Sequence, residues 1–229
     1  MTGELPPVEH QLADYTPPPD TGLALVYADE RMLVVDKPSG LLSVPGRGER
    51  MQDCLASRVQ AVYPDALIVH RLDLPTSGLL VMGRGLDAQR RLSQLFESRQ
   101  VHKRYEALVS GLMVDDAGEV DLPLITDWPN RPRQMVDHEH GKRALTRWRV
   151  LARDVAQGRT RVSLEPVTGR SHQLRVHMMA LGHPILGDTL YACERDRDAA
   201  PRLLLHAADL TLPHPDHGGI LALHSAVPF

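Results

Sequence analysis

The sequence predicts an α+β fold, one domain built on a central mixed, largely antiparallel sheet with flanking helices. Three observations carry this. Short apolar runs of strand character recur along the chain, bounded by Gly, Pro and Asp turns. Helical spacing is confined to three stretches, near 53–62, 86–99 and 172–181. No repeat, low-complexity tract or clear linker interrupts the 229 residues.

Residues 1–20 hold five prolines and no apolar periodicity, so they read as a flexible or draped arm ahead of a domain spanning 21–229. Leu23 to Tyr27 and Met32 to Val35 read as strands turned by Asp29-Glu30. The run from Asp36 to Gly46 has two prolines and two glycines and predicts a structured loop carrying Lys37. Asp53 to Val62 has helical spacing and stops before Pro64. Two apolar strands, Ala66 to Val69 and Leu79 to Met82, then flank the polar stretch His70-Arg71-Leu72-Asp73-Leu74-Pro75-Thr76-Ser77-Gly78. Pro75 and Gly78 make that stretch a sharp loop, and a rigid scaffold presenting a polar loop is where catalytic groups concentrate. A turn capped by Asp73 is the plainer reading of the loop alone.

Leu86 to Arg99 predicts a surface helix with Leu92, Leu95 and Phe96 inward and Arg90, Arg91 and Arg99 outward. Residues 102–111 predict a strand with Tyr105, Ala107 and Val109 on one face. Residues 115–143 lack periodicity but contain Asp127-Trp128-Pro129-Asn130-Arg131-Pro132-Arg133. Arginine beside an aromatic suits stacking on bases and pairing with phosphates. Ala144 to Leu151 and Thr160 to Pro166 predict strands, followed by a helix with Ser171 as N-cap and Gly182 as its stop. Its core face is Leu174, Met178 and Leu181, with Arg175 one turn from His172. Leu203 to His206, Leu210 to Leu212 and Ile220 to Leu223 complete the strands.

Net charge is −3, yet it is unevenly spread. Residues 84–104 and 131–149 each carry six Lys/Arg against two acids, and 159–175 carry four against one. Patch charge governs phosphate binding, so a nucleic-acid partner stays open despite the acidic total. Two distant cysteines, no signal-peptide pattern and no long apolar span lead us to expect a soluble cytoplasmic protein. Twelve histidines raise the question of a metal. His172 and His177 lie five apart, about 140° around a helix, and cannot share an ion as an i, i+4 pair does. No nucleophile elbow surrounds Ser77 and no phosphate loop of Walker type occurs. No cofactor and no metal are expected. What remains is a carboxylate in a tight loop, able to act as nucleophile or base once a cation keeps it ionised.

His70-Arg71-Leu72-Asp73 followed by Thr76-Ser77-Gly78 resembles the signature of the RluA-type pseudouridine synthases. Lys103 to Val109, Gly169 to His177 and Leu203 to Ala207 resemble the family's three further motifs, in the family's order. Lys37 to Gly46 and Asp127 to Pro132 narrow the resemblance to the branch that modifies both ribosomal and transfer RNA. The resemblance covers about residues 23–229, without the S4-like RNA-binding domain that several relatives carry. It implies that a uridine in structured RNA has its N1–C1′ bond cut, the base turned and a C5–C1′ bond made. Asp73 is then the catalytic carboxylate, acting by nucleophilic attack or by removing the 2′ proton to give a glycal. Tyr105 stacks on the base, Arg175 pairs with Asp73 and Leu204 forms part of the pocket wall. Arg71 fills the gap left by the flipped uridine, and Lys37, Asn130, Arg131, Arg170 and His172 are the other residues expected on RNA. Position 746 of 23S rRNA and position 32 of tRNA anticodon loops are the implied targets, with no obligate protein partner and a monomeric chain. A non-catalytic RNA-binding module and a metal-dependent hydrolase are the competing readings.

Overall fold

The computed structural model describes residues 15–229. In chain order the elements are β1 (Leu25–Ala28), β2 (Met32–Lys37), a 3₁₀ turn (Glu49–Met51), α1 (Leu55–Val62), β3 (Ala66–Ile68), β4 (Ser77–Arg84) and α2 (Gly85–Glu97). Then come β5 (His102–Ser110), β6 (Ala117–Asp121), β7 (Leu124–Thr126), β8 (Gln134–Val136), β9 (Leu145–Asp154) and β10 (Arg159–Pro166). The chain finishes with α3 (Gln173–Ala180), α4 (Glu194–Asp198), β11 (Leu205–Pro213) and β12 (Ile220–His224). These elements fall into two compact units. The first unit holds residues 15–103 and His206–Pro228, and the second unit holds Arg104–Leu205 with Phe229. The expectation for residues 1–14 of the arm lies outside the described residues. Residues 15–20 form no helix or strand and are tied down: Tyr15 donates to Asp53 O at 2.9 Å and Arg58 donates to Pro18 O at 2.6 Å.

In the first unit β2 pairs with β1 and β4 antiparallel, and β3 lies antiparallel to the far end of β4. β11 runs parallel to the start of β4, with His206 opposite Ser77 and Ala207 opposite Gly78, and β12 closes antiparallel on β11. The core is Met32, Val34, Leu79, Val81, Leu92, Val101, Leu210 and Leu212, with Leu95 and Phe96 of α2 packed on it. The amphipathic α2 therefore buries the face that its spacing predicts.

Gly78 is a strand residue, not part of the loop as the sequence suggested. Its φ is +114°, and a Cβ would sit 2.4 Å from Ala207 O and 2.5 Å from Ala207 N. Only glycine allows β11 to approach β4 this closely.

The second unit is a four-stranded antiparallel sheet ordered β5-β10-β9-β6, with β7 and β8 as a separate hairpin. Tyr105, Ala107 and Val109 of β5 share a face with Val162, Leu164, Leu174 and Met178, which matches the period-two reading. The stretch 115–143, read as irregular, contains β6, β7 and β8. These strands are three to five residues long, too short to declare a period. Helix α3 ends as predicted: Gly182 N donates to Met179 O and His183 N to Met178 O, the double bond pattern of a left-handed C′ glycine. Its start differs. His172, not Ser171, is the N-cap, at φ 54°, with no side-chain cap bond.

Candidate active site

The residues around Asp73 are held by the segment that precedes α1. The hydroxyl of Ser43 donates to Leu72 O at 2.7 Å and accepts from Leu72 N at 3.1 Å. Lys37 Nζ and Gly40 N both donate to Leu74 O, at 3.1 and 2.9 Å. Ser39 Oγ donates to Pro75 O at 2.7 Å, and Thr76 N closes the turn on Asp73 O at 3.1 Å. Peptide groups on both sides of Asp73 are therefore fixed to one neighbouring loop. The two prolines and two glycines of 36–46 are what let that loop wrap so tightly. Asp73 itself is half-buried and Arg71, at the loop's start, is exposed.

Two histidines fasten the ends of the same stretch. His70 Nε2 accepts from Val81 N at 3.0 Å, just where the β3–β4 ladder ends at Ile68 and Met82. The ring also stacks on Phe96 at 4.5 Å. Burial, with a smaller contribution from Lys103, pushes its pKa down to about 3, so the ring is neutral with its proton on Nδ1. Four residues beyond Asp73, Ser77 Oγ lies 2.9 Å from His206 Nδ1, and His206 Nε2 lies 2.9 Å from Ser225 Oγ. Ser225 donates its proton to the Asp36 carboxylate. Ser225 must then accept from Nε2–H. All three side chains of the Ser77–His206–Ser225 chain are buried.

In the second unit Arg175 is 2% exposed and binds Asp188 through two bonds, Nε to Oδ2 at 2.8 Å and Nη2 to Oδ1 at 2.7 Å. Oδ1 also accepts from Leu190 N and Tyr191 N. The Arg175 guanidinium lies 5.1 Å from the centre of the Tyr191 ring. Tyr191 Oη accepts from Gln134 N at 2.8 Å and sits 2.6 Å from His172 Nδ1. A buried arginine needs this kind of fully bonded carboxylate. Asp188 and Tyr191 were not among the residues picked from the sequence. The signal for them was indirect, an acid in the turn after a helix that buries an arginine.

Several expected residues are placed differently from the sequence reading. Lys37 is 0% exposed, and its ammonium is enclosed by the carbonyls of Pro38, Leu41 and Leu74. It serves the Asp73 loop from inside and is no surface contact for a phosphate. Leu204 packs with Leu108 and Leu186, whereas its neighbours Leu203 and Leu205 join the cluster that holds Tyr105. Asn130, Arg131 and Arg170 are exposed, and His172 is half-buried against Tyr191. The basic windows are also less cationic than their counts imply. Arg84, Arg91, Arg104, Arg143, Arg147, Arg159 and Arg161 all pair with acids.

The comparisons with known proteins agree with the motifs. The sequence pattern of the family described as RNA pseudouridylate synthase matches residues 31–180. The chain is 50% identical over 218 residues to the dual-specificity RNA pseudouridine synthase RluA of Escherichia coli (strain K12), spanning 95% of this chain and 99% of that protein. It is 47% identical over 218 residues to the protein of the same name from Haemophilus influenzae, with the same coverage. Among solved structures, human RNA pseudouridylate synthase domain containing 1 matches with a TM-score of 0.79 and 29% identity, covering 93% of this chain and 87% of that one. Fold, ordered motifs and relatives lead to one conclusion: the chain belongs to the RNA pseudouridylate synthase family and is an RNA pseudouridine synthase, an isomerase.

Proposed function

We propose that the protein isomerises uridine in two structured RNAs, 23S rRNA at position 746 and the tRNA anticodon loop at position 32. The dual-specificity name of its half-identical relatives supports two RNA classes. The observation that carries the mechanism is the clamp on the Asp73 loop. A carboxylate attached to an already immobile backbone needs little reorganisation as the glycosidic bond breaks. Asp73 acts on the ribose, by attack at C1′ or by removing the 2′ proton, and the N1–C1′ bond then breaks. The uracil turns, C5 bonds to C1′, and the C5 proton leaves with help from Tyr105. Arg175 is the third catalytic residue, supplying a fixed positive charge.

A stacked uridine must leave its neighbours to be reached, which costs a few kcal/mol. Exposed Arg71, beside Asp73 in sequence, is the group that replaces it in the stack. Asn130, Arg131, Arg170 and His172 contact the RNA, and phosphate pairing adds salt-dependent affinity. The protein works as a cytoplasmic monomer with RNA as its partner and no cofactor.

Tritium at uridine C5 tests this. The carbon becomes the glycosidic carbon and its label is released to water. We expect release from 23S rRNA fragments and from an anticodon stem-loop, with pseudouridine mapped to the two named positions. No release from either RNA would contradict the reading, and release with modification at other uridines would contradict the site assignment.

A further inference from the structure

We propose that Trp128 is a stacking platform for an unpaired base of the substrate RNA, an inference that rests on the RNA reading above. The hairpin tip between β7 and β8 inverts ordinary burial. It buries Arg133, at 7% exposed, and presents Trp128, at 64% exposed. The inversion is built into the loop. Asp127 N donates to Arg133 O at 3.0 Å, Arg133 N to Asn130 O at 3.0 Å, and Asn130 N to Asp127 O at 3.1 Å. Asn130 Nδ2 adds a bond to Asp127 Oδ2 at 2.9 Å. Two consecutive turns inside one closing bond, with two prolines, therefore hold the tryptophan out on a fixed backbone.

Arg131 completes the platform. Its guanidinium lies 4.6 Å from the centre of the Trp128 ring, and its Nε donates to Trp128 O at 3.3 Å. A cation over one face leaves an aromatic sandwich half made, and a flat π system is what fits the other face. A nucleobase is such a group, and stacking tolerates any base. The charge around the hairpin favours RNA over a protein partner. At its foot Lys142 pairs with Leu124 in both directions, and Arg170 Nε donates to Arg143 O at 3.1 Å. Lys142 and Arg170 are exposed at the foot and Arg131 at the tip, so cations stand at both ends of a strand about 10 Å long. The hairpin is also anchored: Gln134 N donates to Tyr191 Oη, the group bonded to His172 beside the Arg175–Asp188 pair. A pre-ordered ring loses little entropy when a base settles on it.

Fluorescence tests this directly, because the chain has two tryptophans and the other, Trp148, is 8% exposed. We expect an anticodon stem-loop, and a 23S rRNA fragment, to quench the Trp128 emission as each binds. The quench should vanish in Trp128→Phe and in an RNA made abasic at one loop nucleotide. Trp128→Ala should bind labelled RNA about 5- to 150-fold more weakly by anisotropy, the equivalent of the usual loss per stacked base. Its thermal midpoint should be unchanged, since the side chain is exposed. RNA binding without a change in emission, or unchanged affinity in Trp128→Ala, would overturn the platform while tritium release still upheld the synthase. Absence of both binding and release would overturn the two together.

Discussion

One hydroxyl, that of Ser43, satisfies both backbone groups of Leu72, the residue before Asp73. Ser43 is 4% exposed and Leu72 7%. Both residues are therefore shielded from bulk solvent. Ser43→Ala should leave a buried N–H and C=O unpaired at a cost of about 1–3 kcal/mol. The larger effect should be on turnover, because a displaced carboxylate loses geometry: we expect kcat for tritium release to fall about 10- to 100-fold with KM little changed. Loss of stability with full kcat would show that the clamp does not position Asp73.

Asp188 holds a buried arginine. Asp188→Asn should destabilise the fold by about 3–5 kcal/mol in urea, because it breaks a buried, doubly bonded ion pair. Tyr191→Phe keeps the ring beside Arg175 and removes only the hydroxyl between Gln134 and His172. It should cost about 1–2 kcal/mol. Equal effects from the two variants would place the weight of the network elsewhere.

His70 gives stability a pH dependence with a defined sign. Its folded pKa is pushed down to about 3 from 6.5. Between those values the unfolded chain binds the extra proton, so the contribution is complete above pH 6.5 and fades as pH falls toward 3. Gln in this position can accept from Val81 N without titrating. Urea unfolding from pH 7 to 4 should show wild type losing stability faster than His70→Gln, by up to about 1.4 kcal/mol per pH unit. Parallel curves would contradict the neutral, buried ring.

Much of the chemistry was legible because it was written locally. The Asp73 loop, the core faces of α2 and β5, and the Gly182 stop all follow from spacing within a dozen residues. What was missed depends on partners far along the chain. Gly78 reads as a turn until Ala207 is seen against it. Lys37 reads as an RNA contact until three carbonyls enclose it. The α3 cap was misread for a different reason: an αL histidine is rare, and the fold imposes it through the bond to Tyr191.

A second left-handed residue offers a test that leaves catalysis aside. Arg99 has φ 58° just past α2, where Gln100 N returns to Leu95 O at 2.9 Å. That is a glycine position occupied by arginine. Arg99→Gly should stabilise the protein by about 0.5–1 kcal/mol in urea. Destabilisation would mean that the exposed side chain contributes more than its backbone strain costs.

The central claim is that Asp73 performs the chemistry and the surrounding loop only holds it. Asp73→Asn changes one side-chain group in a loop fixed through backbone atoms, so folding and RNA affinity should remain near wild type. Tritium release from uridine-labelled anticodon stem-loop RNA by this variant is the most direct measurement. We predict that release is abolished while the RNA still binds; release at the wild-type rate would contradict the account.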